Sequence, residues 1–191
     1  MLEAENFDKG GDGLTFHDAD AEDHGNSGYR KDNEGVDIYA ENNGYVIGHT
    51  STTDEWLEYT VNVKTAGAYS YSATVCSAES GSGFKISVLK DDEWVELAQV
   101  DVPLSDTGGY TTVQGELMQE LSQGQQILRI SITGPWCNID KIEFTGSEAV
   151  RYITSGDADA NGTRYNLGGS IADDDFDGII ILNGRKYINM R

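Results

Sequence analysis

The sequence predicts an all-β protein, a two-sheet antiparallel β-sandwich with a small β-hairpin appended at its C-terminal end. Short runs of Val, Ile, Tyr and Thr alternate with polar residues, which is the period of strands that bury one face. Turn residues, among them many of the 23 Gly, recur between these runs at the spacing of short antiparallel strands. With 191 residues, the chain is long enough for one good hydrophobic core.

The individual strands follow from this alternation, taken in chain order. Residues 2–5 predict a first strand. Residues 8–35 are rich in Gly, Asp and Asn and predict a long loop, of the kind that is functional or held by ions. Further strands are predicted at residues 36–38, 45–47, 55–63, 69–75, 84–88, 94–101, 110–117, 127–133 and 139–144.

The C-terminal residues differ from the rest, and the predicted domain boundary falls after residue 147. Residues 1–147 form the sandwich, and residues 148–191 form a tail segment with too few apolar residues for an independent core. Within the tail, Asn183-Gly184 separates two apolar runs, which is the strongest short signal for a hairpin. Residues 157–162 begin like an EF-hand calcium loop, but its later positions do not match, so we disfavour that interpretation.

The charge balance excludes several classes of partner. Lys and Arg number 13 against 33 Asp and Glu, which gives a net charge of -20. A nucleic-acid backbone or an anionic membrane surface would be repelled, and sulfated or uronic polysaccharides are disfavoured. No apolar run approaches the length of a membrane span. Because Met1 directly precedes the first strand, we expect the chain to be a fragment of a longer protein.

One stretch near the end of the sandwich combines three kinds of chemistry. Trp136 precedes Asn138, and an aromatic ring beside an amide suits a sugar, whose apolar face packs on the ring while its hydroxyls bond the amide. Asp140 offers a hard oxygen ligand for a cation such as calcium. Taken alone, the same stretch also fits a buried Trp, a turn Asn and a surface Asp.

Several motifs together resemble the family 6 carbohydrate-binding modules over residues 2–146. The resemblance implies a jelly-roll domain without catalytic activity, which anchors a secreted glycoside hydrolase to xylan, β-glucan or a related neutral glycan. It also implies a secreted or cell-surface location, a covalently linked catalytic domain and a monomeric module. The motifs are Glu3-Ala4-Glu5, Phe16-His17-Asp18, Gly28-Tyr29-Arg30, Gly35-Val36-Asp37-Ile38, Glu55-Trp56-Leu57-Glu58-Tyr59-Thr60-Val61 and Asn138-Ile139-Asp140-Lys141-Ile142-Glu143-Phe144.

The resemblance implies a sugar-binding cleft formed by loops at one end of the sandwich. Two aromatic residues flank a sugar ring in this family, and an asparagine lies beneath it. The matching positions are His49, Tyr110 and Asn138. His49 departs from the usual Tyr or Trp and stacks more weakly, so we expect Tyr45 or Trp136 to supply the missing ring.

The resemblance also implies a structural calcium ion, with Glu3, Glu5 and Asp140 as ligands. On a strand, residues two apart point to the same face, so Glu3 and Glu5 are expected to converge with Asp140 from a neighbouring strand. Some members have a second sugar site on the concave sheet face, built on the Trp that matches Trp56. The acidic partner of that Trp falls near Ser87, so we expect Trp56 to be structural.

Two other functions stay open from the residues alone. A small glycoside hydrolase or polysaccharide lyase needs a pair of carboxylates, and the candidates are Asp18 with Asp20 or Glu55 with Glu58. In the tail, Tyr165-Asn166-Leu167-Gly168-Gly169 and Gly178-Ile179-Ile180-Ile181-Leu182-Asn183-Gly184-Arg185-Lys186 resemble a C-terminal segment of secreted Bacteroides- and Prevotella-type proteins. A calcium-dependent adhesion or sorting domain is therefore the other alternative.

The two cysteines of the chain, Cys76 and Cys137, also leave two possibilities open. They fit one disulfide that braces the cleft, or two buried thiols.

Overall fold

The computed structural model describes residues 1–30, 35–105 and 107–146, and the strands at 151–152, 164–166, 178–182 and 185–189. The chain divides into two compact units, Met1–Ser147 and Glu148–Arg191. The strands of the first unit are β1 (Leu2–Glu3), β2 (Phe16–His17), β3 (Ile38–Tyr39), β4 (Val46–Ile47), β5 (Trp56–Val63), β6 (Tyr69–Ser77), β7 (Gly83–Lys90), β8 (Glu93–Asp101), β9 (Thr111–Glu116), β10 (Gly124–Gly134) and β11 (Cys137–Gly146).

The first unit is a sandwich of two antiparallel sheets, which confirms the predicted fold class. The six-stranded sheet has the order β3-β4-β11-β6-β9, with β1 also paired to β11. The five-stranded sheet has the order β2-β5-β10-β7-β8. Most neighbours in each sheet are far apart in sequence, so the central strands β10 and β11 are fixed by long-range pairing rather than by local turns.

The core lies between the sheets and is built from alternate residues of their strands. Phe84 and Ile86 of β7 and Ile130 of β10 face Ile139 and Ile142 of β11, and all five are at most 1% exposed. Burial of each such side chain contributes roughly 1.5–3 kcal/mol. The alternation seen in the sequence therefore corresponds to one shared core, and the polar residues between these positions point outward.

Two predicted elements at the N-terminal end differ from the structure. The predicted strand at residues 2–5 is wrong beyond Glu3, because the chain turns into a 3₁₀ helix at Ala4–Asn6. Ala4 and Glu5 are both buried, whereas consecutive residues of a strand with one buried face would alternate between buried and exposed. The Tyr59 hydroxyl donates to the Ala4 carbonyl over 2.8 Å and so holds this turn against β5.

The predicted loop at 8–35 contains a short strand that was not predicted. Phe16 and His17 form β2, paired with Leu57 and Trp56 at the edge of the five-stranded sheet. Phe16 is 1% exposed and its ring meets Phe7 edge-on at 5.1 Å between centroids. A single buried aromatic among polar residues produces no alternation, so the sequence pattern carries no signal for this strand.

The second unit contains a four-stranded sheet. Its strands are β12 (Arg151–Tyr152), β13 (Arg164–Asn166), β14 (Gly178–Leu182) and β15 (Arg185–Asn189), in the order β12-β15-β14-β13. The predicted hairpin corresponds to β14 and β15, which pair antiparallel with Leu182 opposite Arg185. Strands β12 and β13 were not predicted. The stretch 157–162 that resembles an EF-hand loop lies outside the described residues.

Within the described ranges, no helix has the length and apolar character that a membrane crossing requires.

Candidate functional site

A cleft of about 520 Å³ lies where several loops of the sandwich meet. The turn between β3 and β4 and the loops after β4, β6, β8 and β10 all contribute to it. Because each loop is anchored in a strand of the rigid sandwich, the side chains are held in place by the core. The lining residues are Glu41, His49, Cys76, Ser77, Ala78, Glu79, Gly108, Trp136 and Asn138.

Three polar groups from distant parts of the chain meet at this cleft. The Tyr110 hydroxyl donates to the Glu41 carboxylate over 2.9 Å. The Asn138 amide Nδ2 lies 3.4 Å from both the Tyr110 oxygen and Glu41 Oε2. Burial raises the pKa of Tyr110, so its hydroxyl stays protonated and remains a donor. The group offers an amide, a phenol and a carboxylate side by side, which suits a ligand rich in hydroxyls.

The backbone beneath Asn138 is fixed by close packing. Asn138 is paired with Cys76 across β11 and β6. At Gly48, a Cβ would lie 2.9 Å from both Asn138 Oδ1 and the Tyr39 ring, so only glycine fits here without displacing them. A side chain at position 48 would therefore displace the Asn138 amide or the Tyr39 ring.

Trp136 is an exposed large hydrophobic residue of the cleft, with 45% of its surface accessible. Its φ of 65° is in the left-handed region, and three hydrogen bonds hold this conformation. Its N–H donates to the Thr50 carbonyl over 2.6 Å, and its carbonyl accepts from the Ser77 hydroxyl over 2.7 Å. The buried Thr50 hydroxyl also accepts from Cys137 N over 2.9 Å. The indole is therefore presented on a braced turn, as a preorganised ring surface.

His49 joins the cleft on the side of Trp136. Its ring meets the indole edge-on at 5.1 Å and stacks on His24 at 4.3 Å between centroids, with 13° between the planes. His49 also has a positive φ, of 51°. Tyr45 packs elsewhere, because its ring stacks on Tyr29 at 4.1 Å. The structure thus groups His49, Trp136, Tyr110 and Asn138 around the cleft and leaves Tyr45 in a separate aromatic pair.

Sequence reasoning missed three residues of this region. Glu41 lies between the predicted strands at 36–38 and 45–47 and was assigned no role, yet its carboxylate accepts from both Tyr110 and Asn138. Thr50 and Ser77 brace the Trp136 turn, and neither belongs to a recognisable pattern. Their partners are 59 to 97 residues away in the sequence, so only the folded chain reveals their roles.

The predicted calcium ligands are close enough for their charges to interact, but they do not share one strand face. They are Glu3, Glu5 and Asp140. Glu3 ends β1, Glu5 is in the 3₁₀ helix, and Asp140 is at an irregularity in the pairing of β11. The prediction that Glu3 and Glu5 share one strand face is wrong, because the chain turns between them. Asp140 Oδ2 accepts from Asn42 Nδ2 over 2.9 Å.

Glu5 provides the test of whether these residues suit a cation. It is 6% exposed, and its Oε2 is a buried oxygen without a hydrogen-bond partner. Burial raises the pKa of Glu5, and the charges of Glu3 and Asp140 add to this effect. An unpartnered buried carboxylate oxygen beside two further carboxylates fits a hard cation with oxygen ligands such as calcium.

The carboxylates considered for catalysis are arranged differently. Burial raises the pKa of Asp18 to about 6. Glu55 accepts hydrogen bonds from Ser51 and Thr52, and the cavity that Asp18 and Glu55 border has about 20 Å³, enough for about one water molecule. Glu58 is bound to Arg129 on the outer face of the five-stranded sheet. None of these four carboxylates lines the 520 Å³ cleft.

The outer face of the five-stranded sheet carries Trp56 in a closed stack. The Arg129 guanidinium lies 3.8 Å from the Trp56 ring centroid and 4.0 Å from that of Trp94. Arg129 Nε donates to Glu58 Oε1 over 3.0 Å, and Nη2 donates to the same oxygen. The arginine thus fills the space between the two indoles, in accord with the expected structural role of Trp56.

The two cysteines are free buried thiols. Cys76 is paired with Asn138, and Cys137 is paired with Ser77. Neighbouring residues of a strand point to opposite faces, so Cys76 faces the cleft and Cys137 faces the core. The two thiols therefore point away from each other, and of the two possibilities the structure has the two buried thiols rather than the disulfide.

Comparison with known proteins gives a consistent picture. Residues 20–146 match the family described as carbohydrate binding module (family 6). Over 100 residues the chain is 35% identical to an alpha-agarase from Thalassotalea agarivorans, and the match covers 52% of this chain and 7% of that relative.

Solved structures show the same fold. The C-terminal family 6 module of a marine laminarinase from Zobellia galactanivorans has 23% identity over 75% of this chain and 96% of its own, with a TM-score of 0.55. A family 6 module of Cellvibrio mixtus lichenase 5A, solved with cellotriose, has 19% identity over 76% of this chain and 95% of its own, with a TM-score of 0.52.

The family match covers more than half of the sequence, and the chain belongs to the family 6 carbohydrate-binding modules. It is a β-sandwich module that binds carbohydrate and is not itself catalytic.

Proposed function

On the premise of that membership, we propose that the cleft holds a neutral polysaccharide and thereby keeps a linked glycoside hydrolase on its substrate. The observation that carries the proposal is the meeting of Tyr110, Asn138 and Glu41 beside the exposed Trp136 ring. Such a site combines a surface for the apolar face of a sugar with donors and acceptors for its hydroxyls.

Each of these residues has a defined part in the proposed complex. The Trp136 indole and the His49 ring border one side of the cleft and supply stacking surface. Asn138 offers two donors and one acceptor, and Glu41 accepts from vicinal hydroxyls. Tyr110 contributes its ring and a protonated hydroxyl.

The charge of the cleft restricts the class of glycan. Glu41 and Glu79 both line it, and the whole chain has a net charge of -20. A sulfate or carboxylate on the sugar would face these groups at short range, where like charges repel strongly. Neutral chains such as agarose, xylan or β-glucan meet no such cost, and hydroxyl groups can donate to both carboxylates.

Agar-type galactans are the foremost candidates among the neutral glycans. The support is the 35% identity to an alpha-agarase. A module attached to such an enzyme raises the effective concentration of its catalytic domain at the polysaccharide surface. This role also implies an extracellular location.

Calcium is proposed as a structural ion, held by Glu3, Glu5 and Asp140. The buried, unpartnered Oε2 of Glu5 supports this assignment. A cation would neutralise carboxylates whose burial and mutual repulsion raise the pKa of Glu5, and it would tie the first strand to β11. Asn42, adjacent to Glu41 of the cleft, bonds Asp140, so the ion would also steady the turn that presents Glu41.

Titration calorimetry against agarose, xylan, laminarin and cello-oligosaccharides tests the proposed function, with a parallel assay for released reducing ends. We expect binding to at least one neutral glycan and no new reducing ends. Release of reducing ends would instead support the glycosidase alternative. Absence of both binding and turnover would favour an adhesion or sorting domain.

A further inference from the structure

A second group of side chains beside the cleft has the donor set of a transition-metal site. Asp20, His24 and His49 each bring one ligand-type atom into a group whose members all lie within 4.8 Å of one another. Among the residues that the structure describes, this is the one set of three His, Cys, Asp or Glu side chains that meets this condition. Glu3, Glu5 and Asp140 are therefore spread more widely.

The backbone fixes the two ligands that come from the long loop. Asp20 Oδ1 accepts from Glu22 N over 2.8 Å, while its Oδ2 faces His24 Nε2 at 3.4 Å. His24 N donates to the carboxylate of Asp37, which is 1% exposed. At Gly25 a Cβ would lie 2.0 Å from the Ile38 carbonyl oxygen, so the loop packs against β3 here without room for a side chain. His24 is thus held at a fixed place beside His49.

The third ligand is fixed from the other side. The His49 ring stacks on His24 and meets the Trp136 indole edge-on. The two rings are 13° from parallel, so their in-plane nitrogen lone pairs do not converge, and one imidazole must rotate about its side-chain bonds before both can bind one ion. All three residues are at least partly accessible, so an ion can reach them from solvent.

The donor types decide which ion suits the group. Two imidazole nitrogens and one carboxylate oxygen match the preferences of zinc, whereas calcium and magnesium take oxygen ligands. Three protein ligands leave the fourth position of a tetrahedral ion to solvent. The strongly acidic chain also raises the local concentration of cations.

We propose that Asp20, His24 and His49 form a binding site for zinc or a similar divalent transition ion at the rim of the cleft. The site is separate from the carboxylates of Glu3, Glu5 and Asp140. It joins the long loop to the segment after β4, and an ion bound there would fix one wall of the cleft.

The test is calorimetric titration of the intact chain with Zn²⁺, in excess calcium and without sugar. Wild type is expected to bind one Zn²⁺ per chain, and Co²⁺ in its place should produce visible absorption bands. His24→Gln and Asp20→Asn should each weaken Zn²⁺ binding about tenfold or more. Two variants are used so that the test remains valid if one of them does not fold. Circular dichroism shows whether each variant is folded.

His17→Gln is the matched control. His17 also faces a carboxylate, with Nδ1 2.8 Å from Asp12 Oδ1, but it is not part of the three-residue group. It should bind Zn²⁺ like wild type. The proposal is overturned if wild type binds no stoichiometric Zn²⁺, if both test variants bind it equally well, or if His17→Gln loses as much affinity. Because sugar is absent, none of these results bears on the proposed glycan cleft.

Discussion

The cleft and the outer face of the five-stranded sheet both present tryptophan, yet only the cleft leaves its ring available. Trp136 is held by its backbone, and its indole remains exposed. Trp56 and Trp94 enclose Arg129, whose charge is met by Glu58. The difference is that the cleft leaves the Trp136 ring accessible to a ligand, whereas the Arg129 guanidinium occupies the space between Trp56 and Trp94.

The same contrast holds for the carboxylates. On the sheet face, Glu58 is paired with a guanidinium. Around the small cavity that Asp18 and Glu55 border, burial raises the pKa of both Asp18 and Asp37 to about 6 and raises the pKa of Glu55. Burial disfavours the charged form of each of these three carboxylates, whereas Glu58 is paired with Arg129.

The largest expected effect is on sugar affinity, from substitutions in the cleft. Asn138→Ala and Tyr110→Ala should each weaken binding of the cognate glycan about tenfold or more, because a ligand hydroxyl or a ring contact is lost, at roughly 1–3 kcal/mol. The melting temperature should stay nearly unchanged. Trp56→Ala is the control and should bind with wild-type affinity in the same calorimetric titration.

The opposite pattern of affinities would mean that the cleft is not the sugar site. Wild-type affinity in both cleft variants, together with lost affinity in Trp56→Ala, would place the sugar on the outer face of the five-stranded sheet.

The next effect is on stability, from the arginine between the two indoles. Arg129→Ala should lower the free energy of unfolding by about 2 kcal/mol, since two stacking contacts and the partly exposed ion pair with Glu58 are lost. Arg129→Lys keeps the charge but not the planar stack, and should lose about half as much. Urea denaturation measures both changes in stability. The affinity for the glycan should be the same as in the wild type.

A different outcome for Arg129→Ala would change the role of this face. If the variant gained sugar binding that persisted when Asn138→Ala was added, Arg129 would be blocking a second site between Trp56 and Trp94.

Calcium should stabilise the N-terminal side of the sandwich. Adding Ca²⁺ to metal-free protein is expected to raise the melting temperature by several degrees, because the ion binds the folded chain alone. Glu5→Gln should reduce this response, and His24→Gln should retain it. If the melting temperature is the same with and without Ca²⁺, then Glu3, Glu5 and Asp140 do not form a structural calcium site.

The smallest expected effect is that of pH on the metal-free protein. The pKa of Asp37 is about 6 in the fold, above its ordinary value, so the folded chain holds a proton that the unfolded chain has lost. Stability should therefore rise as the pH falls from about 7 to about 5. The raised pKa values of Asp18, Glu55 and His24 contribute to the profile in the same direction.

Asp37→Asn serves as the matched variant for the pH profile, because an amide oxygen can still accept from His24 N. Its melting temperature should depend less on pH between about 5 and 7 than that of wild type. An identical profile in the two proteins would mean that the pKa of Asp37 is not raised in the fold.

Most of the sandwich was predictable because its strands have alternating apolar residues and obvious turns. β7 shows this with Phe84 and Ile86 buried and Lys85 between them. The two wrong predictions near the N-terminus, the strand at 2–5 and the unbroken loop at 8–35, have one cause. Phe16 and Ala4–Asn6 are buried by contacts with β5 and Tyr59, and such contacts leave no alternating pattern in the sequence.

The sequence by itself determined the fold class, the family and the positions that correspond to Tyr110 and Asn138, because alternation and family motifs are local properties. Only the tertiary structure decided that Glu41 joins these two residues, that Arg129 fills the space beside Trp56, and that the thiols point to opposite faces. It also decided that Asp20 and His24 meet His49. Each of these outcomes depends on strand register and loop packing, which join residues far apart in the chain and leave no periodic trace in it.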